Sequence, residues 1–427
     1  MSELKAAVIG AGSTYTPELI EGFTKYREDL PFTKFALMDI DENRLDIVGS
    51  LAKRQLEKAG FDGEVVLTSD LKRALDGADF VFGQVRVGKM AARIKDEKIP
   101  LKYKMLGQET TGAGGFMKAL RTVPVILEVA EKMKQYSAPG AWLINFSNPS
   151  GIIAEAVLNN TDTNMIGLCN CPINMIKEVA DTIETTDFDY EYVGLNHLSW
   201  ITSVIKHGET ENLVNALSGK AASSMKNVPE IDYDEALLRA IPYIPSSYLG
   251  YFYARNQQIK KCLKAKKTRG EICLELENEL LKKYADLNLD VKPKELEQRG
   301  GALYSTAAVA AAQSIANDKR EIHVVAAKNN GAVPFMEDND VVEVKCELGK
   351  NGIKPLPVKE YNEYVKGLMR AVKAYEKLTA AAAITGDRDK ALAALMAHPL
   401  IGDYDTAAPM LAEMLEANRE LLPRFFS

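Results

Sequence analysis

The chain has 427 residues, 46% of them hydrophobic and 26% charged, with a formal net charge of −6. That length supports a large core and two domains, in an ordinary globular composition. The negative balance argues against nucleic acid or an anionic membrane as the main partner, while leaving room for a local basic pocket. No apolar run approaches the roughly 18 residues of a membrane span.

Met1 to Lys5 leads directly into "AAVIG", so no secretory or transit segment is expected ahead of the fold. "KAAVIGAGS" is then an apolar β run ending in glycines, and "TPELIEGFTKY" has helical spacing, with Thr16 expected at the N-cap and Pro17 at the first helical position. "KFALMDID" predicts a second buried strand. "ENRLDIVGSLAKRQLEKAG" predicts an amphipathic helix closed by Gly60. "EVVLTSD", "LKRALDG" and "ADFVFGQV" add a further β-α-β round, and "AWLINFSNP" and "NMIGLCNCP" read as two more short buried strands. Such alternation implies a Rossmann-like, doubly wound parallel sheet, an α/β fold, over residues 1–190. From about Tyr190 the rhythm changes. "YEYVGLNHLSWITSVIKHG" predicts paired strands around a Gly-Leu-Asn-His turn, and long Ala-rich helical stretches follow. Residues 191–427 are therefore expected to form a mixed α+β domain packed closely on the first. The long apolar helices there suggest a homo-oligomer, a homodimer or homotetramer.

"VIGAGST" places Gly10 and Gly12 at a strand-to-turn junction, with Ser13 and Thr14 opening the next helix. A dinucleotide needs such a turn, because the backbone must approach a pyrophosphate and a helix N-terminus must offer free N–H groups. The usual third glycine is replaced by Tyr15, so the fingerprint is incomplete. Asp39, ending the second strand, supplies the carboxylate expected on ribose hydroxyls and favours NAD over NADP. The alternative is an ordinary strand-helix turn with a surface aspartate. Of the four histidines, His398 at a helix end and His323 in an apolar run are expected to be structural, and His207 lies in a turn. His197, after a small polar turn, is the site candidate. The five cysteines (Cys169, Cys171, Cys262, Cys273 and Cys346) are odd in number and lack disulfide-framework spacing, which points to the cytoplasm and reduced thiols.

The segments Arg86–Pro124, "NFSNPSG", "GLCNCPINM", "GLNHLSW" and "QRGGALYSTAA" resemble, in order, the NAD- and metal-dependent glycoside hydrolases of family 4, across nearly the whole chain. That family departs from two-carboxylate hydrolysis, and no convincing acid pair is found here. The resemblance implies a lactate/malate dehydrogenase-like fold and a redox-neutral cycle. NAD⁺ would oxidise the sugar at C3, a base would remove the acidified C2 proton, the aglycone would leave C1, water would add, and the hydride would return. It also implies a metal on Cys169 and His197. Thiolate plus imidazole would ordinarily suggest zinc or iron, whereas the resemblance implies Mn²⁺. Cys171 is read as a packing residue.

The resemblance makes the base a tyrosine, and among Tyr243, Tyr248, Tyr251 and Tyr253 the Pro-x-x-Tyr-Leu frame selects Tyr248, with Tyr251 as fallback; core packing is the alternative role. Arg93, Asn148 and Arg299 are expected to contact substrate, since a 6-phosphate needs forked donors, with Arg86 a lesser candidate. Glu109 would fix a sugar hydroxyl or orient an arginine. Surface or capping roles are the alternative for these residues. In the family, Cys-Asn-x-Pro resembles the 6-phospho-β-glucosidases and Cys-Asp-x-Pro the 6-phospho-α-glucosidases. Asn170 therefore implies 6-phospho-β-glucosides, such as cellobiose 6-phosphate, and as an amide it cannot deliver a proton at neutral pH. The competing readings are a 6-phospho-α-glucosidase and a lactate/malate-type 2-hydroxy-acid dehydrogenase, the latter producing net NADH without a metal. A non-enzymatic NAD-binding module is the third.

Overall fold

The computed structural model describes residues 3–210, 235–299 and 304–427. Gly300 and Gly301, whose small size is expected to allow close approach beside Arg299, lie outside the described residues.

Six apolar runs form parallel strands β1 (Leu4–Ile9), β2 (Phe32–Met38), β3 (Glu64–Thr68), β4 (Phe80–Gly83), β5 (Trp142–Asn145) and β6 (Asn164–Gly167). They pair in the order β3-β2-β1-β4-β5-β6. This is the doubly wound nucleotide-binding order, and its direction reverses between β1 and β4, opening a crevice at the strands' carboxyl ends. The middle strands have helices on both faces and are buried throughout, which is why their sequences run apolar instead of alternating. The connecting helices are α1 (Thr16–Lys25), α2 (Glu42–Lys58), α3 (Leu71–Leu75), α4 (Lys89–Lys102), α5 (Ala113–Tyr136), α6 (Ser150–Asn160) and α7 (Cys171–Ile183). Thr16 is not the N-cap of α1. Tyr15 holds that place without a side-chain cap, because the Thr16 hydroxyl is turned inward, donating to the Ala11 carbonyl (2.8 Å) and accepting from Gln84 Nε2 (2.6 Å).

A hairpin of β7 (Asp189–Leu195) and β8 (Leu198–Lys206) begins the second part, with β9 (Glu209–Thr210) and β10 (Ile244–Pro245) pairing to β8. Three antiparallel strands, β11 (Glu321–Lys328), β12 (Val341–Gly349) and β13 (Gly352–Pro355), then join the large sheet beyond β6 and extend it to nine strands. The sheet thus draws strands from both sides of residue 190. The last Ala-rich stretch is two helices, Glu363–Thr385 and Arg388–Ala397, because Gly386 takes φ +74° and the Asp387 side chain accepts from the Asp389 and Lys390 N–H groups.

Helices α4 and α5 are fastened by one buried ion pair. Arg121 Nη1 and Nη2 donate to the two Asp96 oxygens at 2.9 and 2.5 Å, with both side chains 2% exposed. Asp96→Ala leaves a buried guanidinium unpaired and is expected to cost about 3–5 kcal/mol, read as a fall in the denaturation free energy. The apolar double replacement Asp96→Leu/Arg121→Met should recover most of the loss. A cost below about 1 kcal/mol for Asp96→Ala would show that the pair is not what joins these helices.

Candidate active site

The crevice at the sheet reversal is a cavity of about 960 Å³. The β1–α1 turn forms one side. Gly10 takes φ +91°, where a Cβ would meet the Gln84 carbonyl oxygen at 2.9 Å. Gly12 has the Asp39 Oδ2 where a Cβ would stand, at 2.8 Å, and its N–H donates to that oxygen at the same distance. The other Asp39 oxygen accepts from the Asp41 N–H at 2.9 Å. Both oxygens keep lone pairs for a further donor, and Gly10, Gly12, Ser13 and Asp39 all line the cavity, with Ile40 beside them 84% exposed. Thr14 does not. It is fully buried, its hydroxyl accepting from Arg299 Nε (3.2 Å) and its carbonyl from the Tyr284 hydroxyl (2.8 Å). Tyr15, in the place of the third glycine, lines the cavity and lies under the Arg299 guanidinium, 5.2 Å from ring centroid to carbon.

Behind the part of the wall formed by Asn170 and Tyr248, the turn after β6 and the β7–β8 hairpin bring two predicted ligands together, neither of which lines the cavity itself. Cys169 Sγ lies 3.2 Å from His197 Nε2, although the residues are 28 apart in sequence. Cys169 lies two residues beyond the end of β6, and the Cys171 N–H at the start of α7 donates to its sulfur (3.3 Å). His197 is the second residue of a two-residue hairpin turn and takes φ +64°, a left-handed conformation that costs a non-glycine residue energy and is held only by its surroundings. Those surroundings include Glu343 on β12, which accepts from Asn196 Nδ2 (3.1 Å) and the Tyr192 hydroxyl (2.8 Å).

Burial, countered only in part by Glu109 and reinforced by the Lys118 charge, pushes the His197 imidazolium down to about 3. Burial and the Glu343 charge push the Cys169 thiol well up. The imidazole is therefore neutral and ready to ligate, and a cation would have to displace the thiol proton. His197 Nδ1 is buried without a hydrogen-bond partner. One soft and one borderline donor facing each other fit a divalent transition metal, with the rest of its shell left to substrate oxygens and water. Among the described residues no group of three or more His, Cys, Asp and Glu side chains could hold a metal, so a two-ligand, open site is what this pair provides.

The Tyr248 ring stacks on His197, with centroids 3.8 Å apart and planes within 10°, and it lines the cavity together with Asn170. The other three candidate tyrosines do not. Tyr253 accepts from Trp200 Nε1 at 2.8 Å, Tyr243 packs in the main core, and Tyr251 is buried behind Tyr248 at 6.4 Å, its phenol pushed well up by burial.

Asn148, Glu109 and Arg299 line the cavity as expected, and so does Arg86. Arg93 does not. It is 4% exposed and holds Glu97 (Nε to Oε1, 2.7 Å) and Glu109 (Nη1 to Oε1, 3.2 Å) from behind. Of the two arginines, Arg86 reaches the cavity and Arg93 does not. Arg86 follows β4 at the carboxyl end of the sheet and reaches Glu109 Oε2 at 2.8 Å from the cavity side, while Arg93 sits on the inner face of α4. Burial would raise the Glu109 carboxyl, but Arg93, Lys118 and Arg86 outweigh it and hold the group well below the usual carboxylate range.

Residues 5–185 match the Family 4 glycosyl hydrolase family, and residues 192–401 match its C-terminal domain. The chain belongs to family 4 of the glycosyl hydrolases. It is 42% identical to the probable 6-phospho-beta-glucosidase of Bacillus subtilis, over 99% of this chain and 98% of that one. It is 38% identical to the 6-phospho-beta-glucosidase of Escherichia coli, over 99% and 97%. The structure of the Thermotoga maritima 6-phospho-beta glucosidase with NAD and glucose-6-phosphate superposes with a TM-score of 0.90 at 36% identity, covering 98% of this chain and 99% of that one. Another structure of that enzyme holds manganese, NAD⁺ and glucose-6-phosphate. A lactate dehydrogenase of Cryptosporidium parvum, at 13% identity and a TM-score of 0.58, shares the fold, which answers the expectation of a dehydrogenase-like architecture.

Two parts of this family 4 site escape sequence reasoning. Lys118 lines the cavity 3.3 Å from Glu109 Oε2. Its signal is a pair of cations, Lys118 and Arg121, three apart on the otherwise apolar start of α5, a place where charges stay only if they are paired. Glu277 reaches the cavity from the Arg269–Tyr284 helix, pairing with Arg44 and, at 3.6 Å, with Arg299 Nη2. No sequence signal points to it. His323 also differs from expectation. It lies half-buried on β11, its Nε2 3.6 Å from Glu321 and without a hydrogen bond, instead of satisfied in the core. His398 is a buried helix-end residue whose Nδ1 accepts from the Leu400 N–H (3.0 Å).

Proposed function

We propose that this chain hydrolyses 6-phospho-β-glucosides, such as cellobiose 6-phosphate, to glucose 6-phosphate and the aglycone, using NAD⁺ and a divalent metal, Mn²⁺. The observation that carries the reading is that one cavity is lined by the Gly10–Gly12–Asp39 turn, Asn170 and Tyr248, with the facing Cys169–His197 pair directly behind the stacked Tyr248 ring. Bound NAD⁺ would supply a hydride acceptor for sugar C3, and bound Mn²⁺ a positive charge at the C2 and C3 oxygens. Gly10, Gly12 and Ser13 hold the pyrophosphate, Asp39 the ribose, and the exposed Ile40 offers an apolar plate to the adenine. Cys169 and His197 are the protein ligands of the metal. Tyr248 takes the C2 proton and returns it after water adds. Arg86, Asn148 and Arg299 hold the phosphosugar, with Glu109 orienting Arg86 and Arg93 and Thr14 acting behind the wall. Asn170 hydrogen-bonds the sugar, which favours the β-glucoside class.

In this reading residues 1–190 hold the nucleotide, and residues 191–427 contribute His197, Tyr248 and Arg299. We assign the enzyme to the cytoplasm, where its five free cysteines stay reduced, as a homodimer or homotetramer. No helix among the described residues is long and apolar enough to cross a membrane.

The deciding assay offers p-nitrophenyl β-glucoside 6-phosphate with NAD⁺, Mn²⁺ and reductant. Nitrophenol release should stop on chelation or NAD⁺ removal, and the unphosphorylated glucoside should be turned over far more slowly. Release indifferent to both omissions would sink the mechanism, and equal turnover of the unphosphorylated compound would sink the phosphate assignment. Gly12→Ala is expected to weaken NAD⁺ binding by about tenfold or more, equivalent to about 1.4 kcal/mol, because its methyl group must displace Asp39 Oδ2. Calorimetric titration with NAD⁺ checks this, and unchanged affinity would remove Gly12 from the nucleotide site.

A further inference from the structure

We propose that Lys118 is the general acid that protonates the departing glycosidic oxygen, an assignment that rests on the hydrolase reading above. A sugar or alkyl aglycone cannot leave C1 as a bare alkoxide at a useful rate, and Asn170, next to the metal ligand Cys169, has no proton to give. The donor must therefore be another group lining the cavity. Glu109 and Lys118 both line it together with Asn170 and Tyr248, and the Tyr248 ring is stacked on His197. Glu109 is held ionised by three cations, the guanidinium of Arg86 does not release its proton, and Tyr248 is engaged at C2. Lys118 is what remains.

Its position suits the task. It is 4% exposed, lines the cavity, and its Nζ is aimed at Glu109 Oε2 at 3.3 Å, so the ammonium is held in place without being fully neutralised. Arg86, Arg93 and Lys118 share that one carboxylate. Arg93 is also paired with Glu97, so three cations face two carboxylates, which still leaves surplus positive charge in a buried place, and lysine alone of the three can shed it. Burial and the Arg86 charge bring the ammonium down to about 7, where acid and base forms are both populated near neutral pH. In the step itself the C2 carbanion electrons form the C1–C2 double bond, and the electron pair of the breaking C1–O bond goes to the aglycone oxygen. That oxygen takes a proton from Lys118 Nζ. The neutral amine then takes a proton from the water that adds to C1, which restores the ammonium.

The test compares p-nitrophenyl and methyl β-glucoside 6-phosphate, with NAD⁺ and Mn²⁺, in the wild type, Lys118→Met and Lys118→Arg, with NAD⁺ affinity and thermal midpoint as controls of folding. Nitrophenol leaves without help and methanol does not. The methyl-to-aryl ratio of kcat/KM should fall about 10²- to 10⁴-fold in Lys118→Met, and equally in Lys118→Arg, which keeps the charge but not a transferable proton. In D₂O the methionine variant should return unreacted methyl substrate carrying deuterium at C2, because the proton abstraction still runs while expulsion stalls. Equal losses on both substrates, or recovery of methyl turnover in Lys118→Arg, would overturn the assignment. A wild-type enzyme that cleaves both substrates without NAD⁺ or metal would instead overturn the hydrolase mechanism.

Discussion

Cys169→Ser should lose metal-dependent turnover of p-nitrophenyl β-glucoside 6-phosphate by more than about 10²-fold, a loss exceeding what removal of an outer-sphere partner produces, whereas Cys171→Ser should keep it nearly intact. The two sulfurs are one residue apart, yet the fold gives them different neighbours. Cys169 Sγ faces His197 Nε2 at 3.2 Å. Cys171 opens α7 and packs, fully buried, among Met175, Val179 and Tyr251, and it reaches its neighbour only by donating its backbone N–H. Serine is isosteric enough to keep that N–H in place but is a poor, hard ligand. Mn²⁺ affinity, measured by electron paramagnetic resonance alongside turnover, separates ligand loss from unfolding. Should the two variants prove equally damaging, Cys169 and Cys171 would have to act as a joint site.

Tyr248→Phe should lower kcat by about 10²- to 10⁴-fold, the usual worth of a positioned proton acceptor, while Mn²⁺ and NAD⁺ affinities stay close to wild type. Phenylalanine preserves the ring stacked 3.8 Å from His197 and removes only the phenol oxygen, so packing and chemistry are separated by one atom. A free phenol near pKa 10 is a weak base at neutral pH, and a nearby divalent cation is the charge able to favour its anion. The decisive readout is incorporation of solvent deuterium at C2 of the product. The wild type should show it and the variant should turn over too slowly to accumulate it. Tyr251→Phe should do much less, since Tyr251 lies outside the cavity lining. If Tyr251→Phe were instead the more damaging of the two, the base would have to be reassigned.

The order of the first six strands was legible because each is a buried parallel strand closed by turn residues, and Gly10, Gly12 and Asp39 occupy the places that such an order prescribes. The Cys169–His197 pair was legible only through resemblance, since 28 residues of separation carry no geometric information. Arg93 ranks above Arg86 in sequence through its place in the Arg86–Pro124 segment that carries the family resemblance. What decides between them is that Arg86 follows a strand's carboxyl end, facing the crevice, whereas Arg93 lies on a helix four residues before Glu97, which captures its Nε. Thr14 reads as a pyrophosphate contact by position, but its hydroxyl is taken by Arg299, 285 residues away. Long-range contacts of that kind, like the arrival of β11–β13 at the edge of β6, leave no local pattern to read.

That arrival has a consequence for how the molecule is made. Until residues 321–355 leave the ribosome, β6 is a naked border strand, joined later through the Ala326–Gly167 register. The nascent chain therefore carries an open sheet edge at β6, of the kind that invites pairing with other chains, from the completion of β6 at Gly167 until β11 begins at Glu321. Cys169 sits two residues beyond that border, so the metal-binding half-site is finished only when the last third of the polypeptide closes over it.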